Sequence, residues 1–105
     1  MTQFTLNLFG EVLKAVFRVT QYVSGSTAVQ LIGEDGAPLA MISVNLPESK
    51  ALPQGVFYAK HWSENAPVLA ALLENGLLAE VPEVPEAGSG FVDGIKAYRL
   101  ADKVQ

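Results

Sequence analysis

Apolar and polar residues alternate along Phe4-Thr5-Leu6-Asn7-Leu8-Phe9, the two-residue period of a strand with one buried face. Past Gly10, the alternation resumes at Val12, placing Leu13, Ala15, Phe17 and Val19 on one face and Lys14 and Arg18 on the other. Leu13, Val16 and Phe17 also fit helical spacing, but the β-formers from Phe17 to Val23 decide for a second, longer strand. Ser24-Gly25-Ser26 reads as a turn, Thr27 to Ile32 as a third strand, and Gly33-Glu34-Asp35-Gly36 as a tight hairpin whose Asp and Gly both tolerate positive φ. Pro38 to Val44 is the returning strand, closed by Asn45-Leu46-Pro47-Glu48-Ser49. Leu52 to Gly55 is loop, and Val56 to Lys60 a fifth strand.

Lys60-His61-Trp62-Ser63-Glu64-Asn65 then leads into the one helical pattern of the chain, Ala66 to Asn75. Leu69, Leu72, Leu73 and Leu77 form a single apolar stripe on it. Ser63 and Asn65 compete as N-cap. Asn65 is preferred, after a short 3₁₀ turn at Ser63, because Pro67 then falls among the residues whose N–H has no helical partner anyway. Gly76 supplies the left-handed cap, and Leu77 and Leu78 tuck back. Glu80 to Gly90 is acidic and Pro-spaced, which predicts an extended, mobile surface loop with little pairing. Phe91 to Gly94 and Ile95 to Leu100 read as a final strand or strand pair, followed by a frayed tail from Ala101 to Gln105.

The expected fold is α+β: a twisted, mainly antiparallel sheet of roughly five to seven strands with one amphipathic helix on one face. The expected core is Leu13, Phe17, Val19, Leu31, Ile42, Val44, Phe57, Leu69, Leu72, Leu73, Leu77 and Phe91. A length of 105 residues predicts a single domain, and a 50% hydrophobic composition with mean hydropathy +0.26 supplies enough apolar surface for a core. The chain contains no Cys, which excludes disulfides and thiolate metal sites. The first ten residues lack the pattern of a signal peptide, and the longest apolar runs are far shorter than a membrane span.

The net charge of −4, a pI near 4.8 and scattered rather than clustered Lys and Arg disfavour direct nucleic-acid binding. His61, as the single His, is a conceivable general base for Ser63, since residues two apart on a strand share a face. Nothing nearby specifies an orienting acid or an oxyanion site. One His without Cys gives no metal-ligand spacing, and Gly33 to Gly36 lacks the Lys and hydroxyl residues of a phosphate loop. The expectation is therefore no catalytic residue, no cofactor and no metal. Trp62 is either a partner anchor or packing over Pro67 or the sheet, and packing is favoured. Glu64 suits the first helical turn. Glu80, Glu83 and Glu86 either solvate a loop or meet a basic partner, and solvation is favoured.

Val44-Asn45-Leu46-Pro47, Lys60 to Asn65, Gly76-Leu77, Ser89-Gly90-Phe91-Val92 and Tyr98-Arg99-Leu100 resemble domain-of-unknown-function family 4313, small proteins of bacterial phages, plasmids and integrative elements. The likeness runs from about Gln21 onward, and Trp62-Ser63-Glu64-Asn65 is its most specific part. It implies a cytoplasmic bacterial protein of mobile-element origin and brings no catalytic residue with it. By analogy, the expected function is a non-catalytic module that binds a host or element-encoded protein, as an anti-CRISPR-like inhibitor of host defence does. An accessory protein for replication or conjugation, and a small hydrolase centred on His61, Ser63 and Glu64, are the alternatives. Trp62, Glu64, Glu80, Glu83 and Glu86 are the candidate partner-binding residues, and the oligomeric state is left open.

Overall fold

The computed structural model describes residues 2–88 and 90–105, so Ser89 of the acidic loop lies outside the described residues. The architecture is α+β. In chain order it comprises β1 (Phe4–Leu8), β2 (Glu11–Gln21), β3 (Thr27–Gly33), β4 (Pro38–Met41), β5 (Ser43–Val44), β6 (Phe57–Ala59), α1 (Asn65–Glu74), β7 (Leu78–Glu80) and β8 (Ala97–Leu100). Two 3₁₀ turns, Pro47–Ala51 and Asp102–Val104, complete it.

The strands form two antiparallel sheets rather than the single sheet expected. The first runs β1-β2-β3-β4 and the second β5-β6-β8-β7. The junction is Ile42, which interrupts the strand expected over Pro38 to Val44. Its N–H bonds Val29 O at 2.9 Å, and its carbonyl accepts from Lys60 N at 2.8 Å, so one residue hydrogen-bonds to both sheets. Past that corner the Ser43 hydroxyl accepts the Val29 N–H at 2.9 Å and lies 2.8 Å from the Tyr22 hydroxyl. A side chain thus satisfies a buried donor that the bent ladder no longer reaches.

Pairing of Leu8 with Glu11 leaves Phe9-Gly10 as a two-residue turn, with φ of 54° and 77°. The first strand therefore ends one residue short of Phe9, which stands in a left-handed conformation that aromatic residues rarely adopt. In the β3–β4 hairpin only Gly36 takes positive φ, at 85°, while the Asp35 Oδ1 accepts the Ala37 N–H at 3.0 Å. Asp35 is there for its hydrogen bond rather than for a left-handed backbone.

Helix α1 begins and ends one residue earlier than expected. Glu64, not Asn65, is the N-cap, and it makes no capping side-chain bond. Asn65 is instead the first helical residue, only 5% exposed, with its Nδ2 donating to Met41 O at 2.6 Å. The amide is committed to the edge of the first sheet and so is lost to the cap. Bonds from Asn65 N to Trp62 O and from Ala66 N to Ser63 O form the tight turn expected at Ser63. Gly76 at φ 66° closes the helix, with Leu77 N bonded to Leu72 O and Gly76 N to Leu73 O, the paired bonds of a Schellman cap. Replacing Asn65 with Ala is expected to lower stability by about 1–2 kcal/mol. Asn65→Asp should lower it further, because a carboxylate oxygen would face the Met41 carbonyl. Urea denaturation reads both, and equal losses would contradict the bond.

Two apolar clusters flank the second sheet. The larger lies between both sheets and α1 and holds Phe17, Leu31, Ile42, Phe57, Leu69, Leu72 and Leu77 from the expected core, with Leu13 packed at its margin. The smaller, on the opposite face, holds Leu46, Tyr58, Ile95 and Ala97, with Val44 at its margin. Val19, Leu73 and Phe91 do not belong to either. Val19 is 41% exposed where β2 opens onto a groove beside Gln54 and Arg99, Leu73 is 39% exposed on a groove between α1 and the second sheet, and Phe91 is fully exposed.

The expected final strand from Phe91 shrinks to β8. Ile95 upstream of it makes only an isolated bridge, bonding Ala87 in both directions at 2.9 Å. That bridge, the Val81 N–H on Ala97 O and burial of Ala87 make the segment after β7 a closed, packed loop rather than an unpaired one. Glu80 itself belongs to β7. The tail is likewise anchored: Val104 is buried, and the Lys103 Nζ donates to Asn75 O at 2.8 Å.

Candidate partner-binding surface

The spacing that suggested a His61–Ser63 pair does not survive folding. Strand β6 ends at Ala59, and Ser63 turns outward at φ 54°, so the two side chains do not share a strand face. The His61 Nε2 donates instead to the Asp93 carbonyl at 3.1 Å, which ties the helix entrance to the loop before β8. The His61 ring meets Trp62 edge-on, at 5.4 Å and 88°. Trp62 is half-buried against the smaller cluster, the packing on the sheet expected of it. Lys60 lies 5.9 Å from the indole centroid and 4.0 Å from the exposed Glu64 carboxylate. A pair that exposed contributes little to stability.

The acidic series divides. Glu80, on β7, lies opposite Tyr98 and pairs with Lys96 at 3.7 Å on the helix-facing side of the second sheet. Glu83 and Glu86 stand together on a separate groove of about 360 Å³, and Glu48 from the first 3₁₀ turn joins them. Leu52, Pro53, Val84 and Tyr58 provide its apolar walls. The Tyr58 hydroxyl donates to Pro85 O at 3.1 Å and holds the acidic loop against the sheet. None of Glu48, Glu83 and Glu86 forms an ion pair among the described residues. Trp62 and Glu64 do not line this groove. Glu48 escaped the sequence reading because Pro47-Glu48 reads only as a strand end.

The electrostatics follow from this placement. Burial pushes the Tyr58 hydroxyl above the usual tyrosine range, and the Glu48 carboxylate adds to the rise. Burial also raises Tyr98, with Glu80 adding, Lys96 partly offsetting and Glu86 adding again. Both phenols ionise more readily unfolded than folded, so they oppose folding as pH climbs past the ordinary tyrosine range.

Among the described residues no group of three or more His, Asp or Glu is arranged to hold a metal ion, and no helix is long and apolar enough to cross a membrane. Comparison with protein-family models, curated proteins and solved structures gives no match for this chain.

Proposed function

We propose that this chain is a non-catalytic protein-binding module that receives a basic protein surface. The observation that carries the reading is the groove whose apolar walls are rimmed by the three unpaired carboxylates of Glu48, Glu83 and Glu86. A partner's Lys or Arg side chain fits such a site because its aliphatic stem covers apolar wall while its charged head meets a carboxylate. The net charge of −4 extends the attraction beyond contact.

The resemblance to family 4313 supports reading this activity as that of a phage or other mobile element acting within a bacterial cytoplasm. There the acidic surface would obstruct a host defence complex by occupying a groove that otherwise takes nucleic acid. An accessory role in replication or conjugation is the second reading, supported by β1, an uncharged five-residue strand at the edge of the first sheet that offers free backbone groups for strand addition. Expression in a host with an active defence system, paired with capture from its lysate, tests the proposal. Loss of defence together with a specific, salt-sensitive partner is expected. Intact defence and no specific partner would contradict it.

A further inference from the structure

The four sheet edges are not alike. The first sheet ends at β1 and β4, the second at β5 and β7. β4 opens with Pro38, which has no N–H to offer, and pairs through a register shift between Leu31 and Ile32. β5 spans two residues, and β7 three, ending in Glu80 with Pro82 two residues on. Each of these carries a device that keeps an edge from pairing: Pro, a bulge, a charge or short length. β1 carries none. Phe4–Leu8 is five residues without charge or Pro, in unbroken register with β2.

The hairpin decides which backbone groups of β1 are free. A two-residue turn closes on a hydrogen-bonded pair, here Leu8 with Glu11. By the alternation of an antiparallel ladder, Leu6 and Phe4 also bond β2, whereas Thr5 and Asn7 turn their N–H and C=O groups to the open side. Both residues are exposed, and no backbone bond from another element reaches them among the described residues.

We infer that a second copy of this chain occupies this edge: two β1 strands pair antiparallel about a two-fold axis at Leu6, joining the two first sheets into one of eight strands. Thr5 and Asn7 stand one residue either side of Leu6, so the axis sets Thr5 of one copy against Asn7 of the other, twice. Each such pair exchanges two backbone bonds and places a hydroxyl beside an amide. Phe4 falls opposite Leu8, and Leu6 opposite its own counterpart, so no like charges meet. Glu11 and Lys14 are the charges on β2 that lie beside β1. Across three strand spacings, ~14 Å, the axis brings Glu11 of one copy closer to Lys14 of the other than to the other Glu11. A contact of this symmetry closes at two copies. It takes the edge that strand addition by another protein would need, and it stands apart from the acidic groove, none of whose residues lies on β1.

Analytical ultracentrifugation of the full chain is the test, with a monomer–dimer equilibrium expected at roughly micromolar to hundred-micromolar concentration. Thr5→Lys combined with Asn7→Lys, both at exposed positions, sets lysine against lysine in each pair and should weaken the dimer at least about tenfold. Disulfide cross-linking reads the register, since the chain has no Cys of its own. A mixture of Thr5→Cys and Asn7→Cys should cross-link on oxidation well above either variant alone. Positions 5 and 7 face each other, whereas like positions stand two residues apart along the strands, ~8 Å between Cα atoms and beyond disulfide reach. Should the lysine variant fail to fold, the cross-linking decides alone. Undiminished dimer in the folded lysine variant, or equal cross-linking in the mixture and the single variants, would overturn the inference. So would a monomer at every concentration up to about 1 mM, which would leave the edge to another protein's strand.

Discussion

Leu72→Ala is expected to lower the unfolding free energy by about 3–4 kcal/mol, the loss of buried methyl groups plus the cavity they leave. Leu72 is fully buried in the cluster that α1 shares with both sheets, and its carbonyl also receives the Leu77 N–H that closes the helix. For a domain of this size the loss corresponds to a fall in Tm of about 15–25 °C. Leu73→Ala supplies the internal control. Leu73 occupies the same stripe in sequence but is 39% exposed, so truncating it should cost less than about 1 kcal/mol. Urea denaturation of both variants reads the difference. Equal losses would mean that α1 is rotated about its axis from the orientation described here.

The second large effect is on recognition. Replacing both Glu83 and Glu86 with Lys takes the net charge from −4 to neutrality and turns the rim of the acidic groove repulsive toward a basic surface. Partner capture should fall by about a hundredfold or more, since juxtaposed like charges cost several kcal/mol. Both side chains are exposed, so stability should change by no more than about 0.5 kcal/mol. Wild-type capture should itself weaken with added salt, because rim charges are screened over about 10 Å at 0.1 M. Undiminished capture by the doubly reversed variant at low salt would remove the acidic groove from the binding surface.

Local signals were legible wherever local chemistry decides the outcome. Gly76 read as a left-handed cap and is one, the β2 alternation set Ala15 and Phe17 inward, and Leu69 and Leu72 marked the buried helix face. Long-range partners decided the rest. The run from Pro38 to Val44 has no internal break signal, because the corner at Ile42 depends on Val29 and Lys60 from distant strands. Asn65 has the residue type of a cap, yet the Met41 carbonyl claims its amide. Phe91 carries the residue type of a core position on a segment that the fold holds in solvent, while Val104, in an apparently loose tail, is buried.

The candidate site was legible in the same uneven way. Glu83 and Glu86 stood out as acidic repeats within one loop, and they do share a groove. Glu48 carries no local mark, because what distinguishes it is its place beside a loop contributed by another part of the chain. His61 and Ser63 show the opposite error: their spacing implied a pair only on the assumption that the strand continued past Ala59.

The segment around His61 holds the helix entrance through its bond to Asp93, and recognition is proposed for the carboxylates. Capture from native-host lysate by His61→Ala and by Glu83→Lys with Glu86→Lys, run beside the wild type, tests that division most directly. His61→Ala should retain the wild-type partner at near wild-type yield while the charge-reversed variant loses it. Loss of the partner on removing the imidazole, with capture intact after both charges are reversed, would contradict the account.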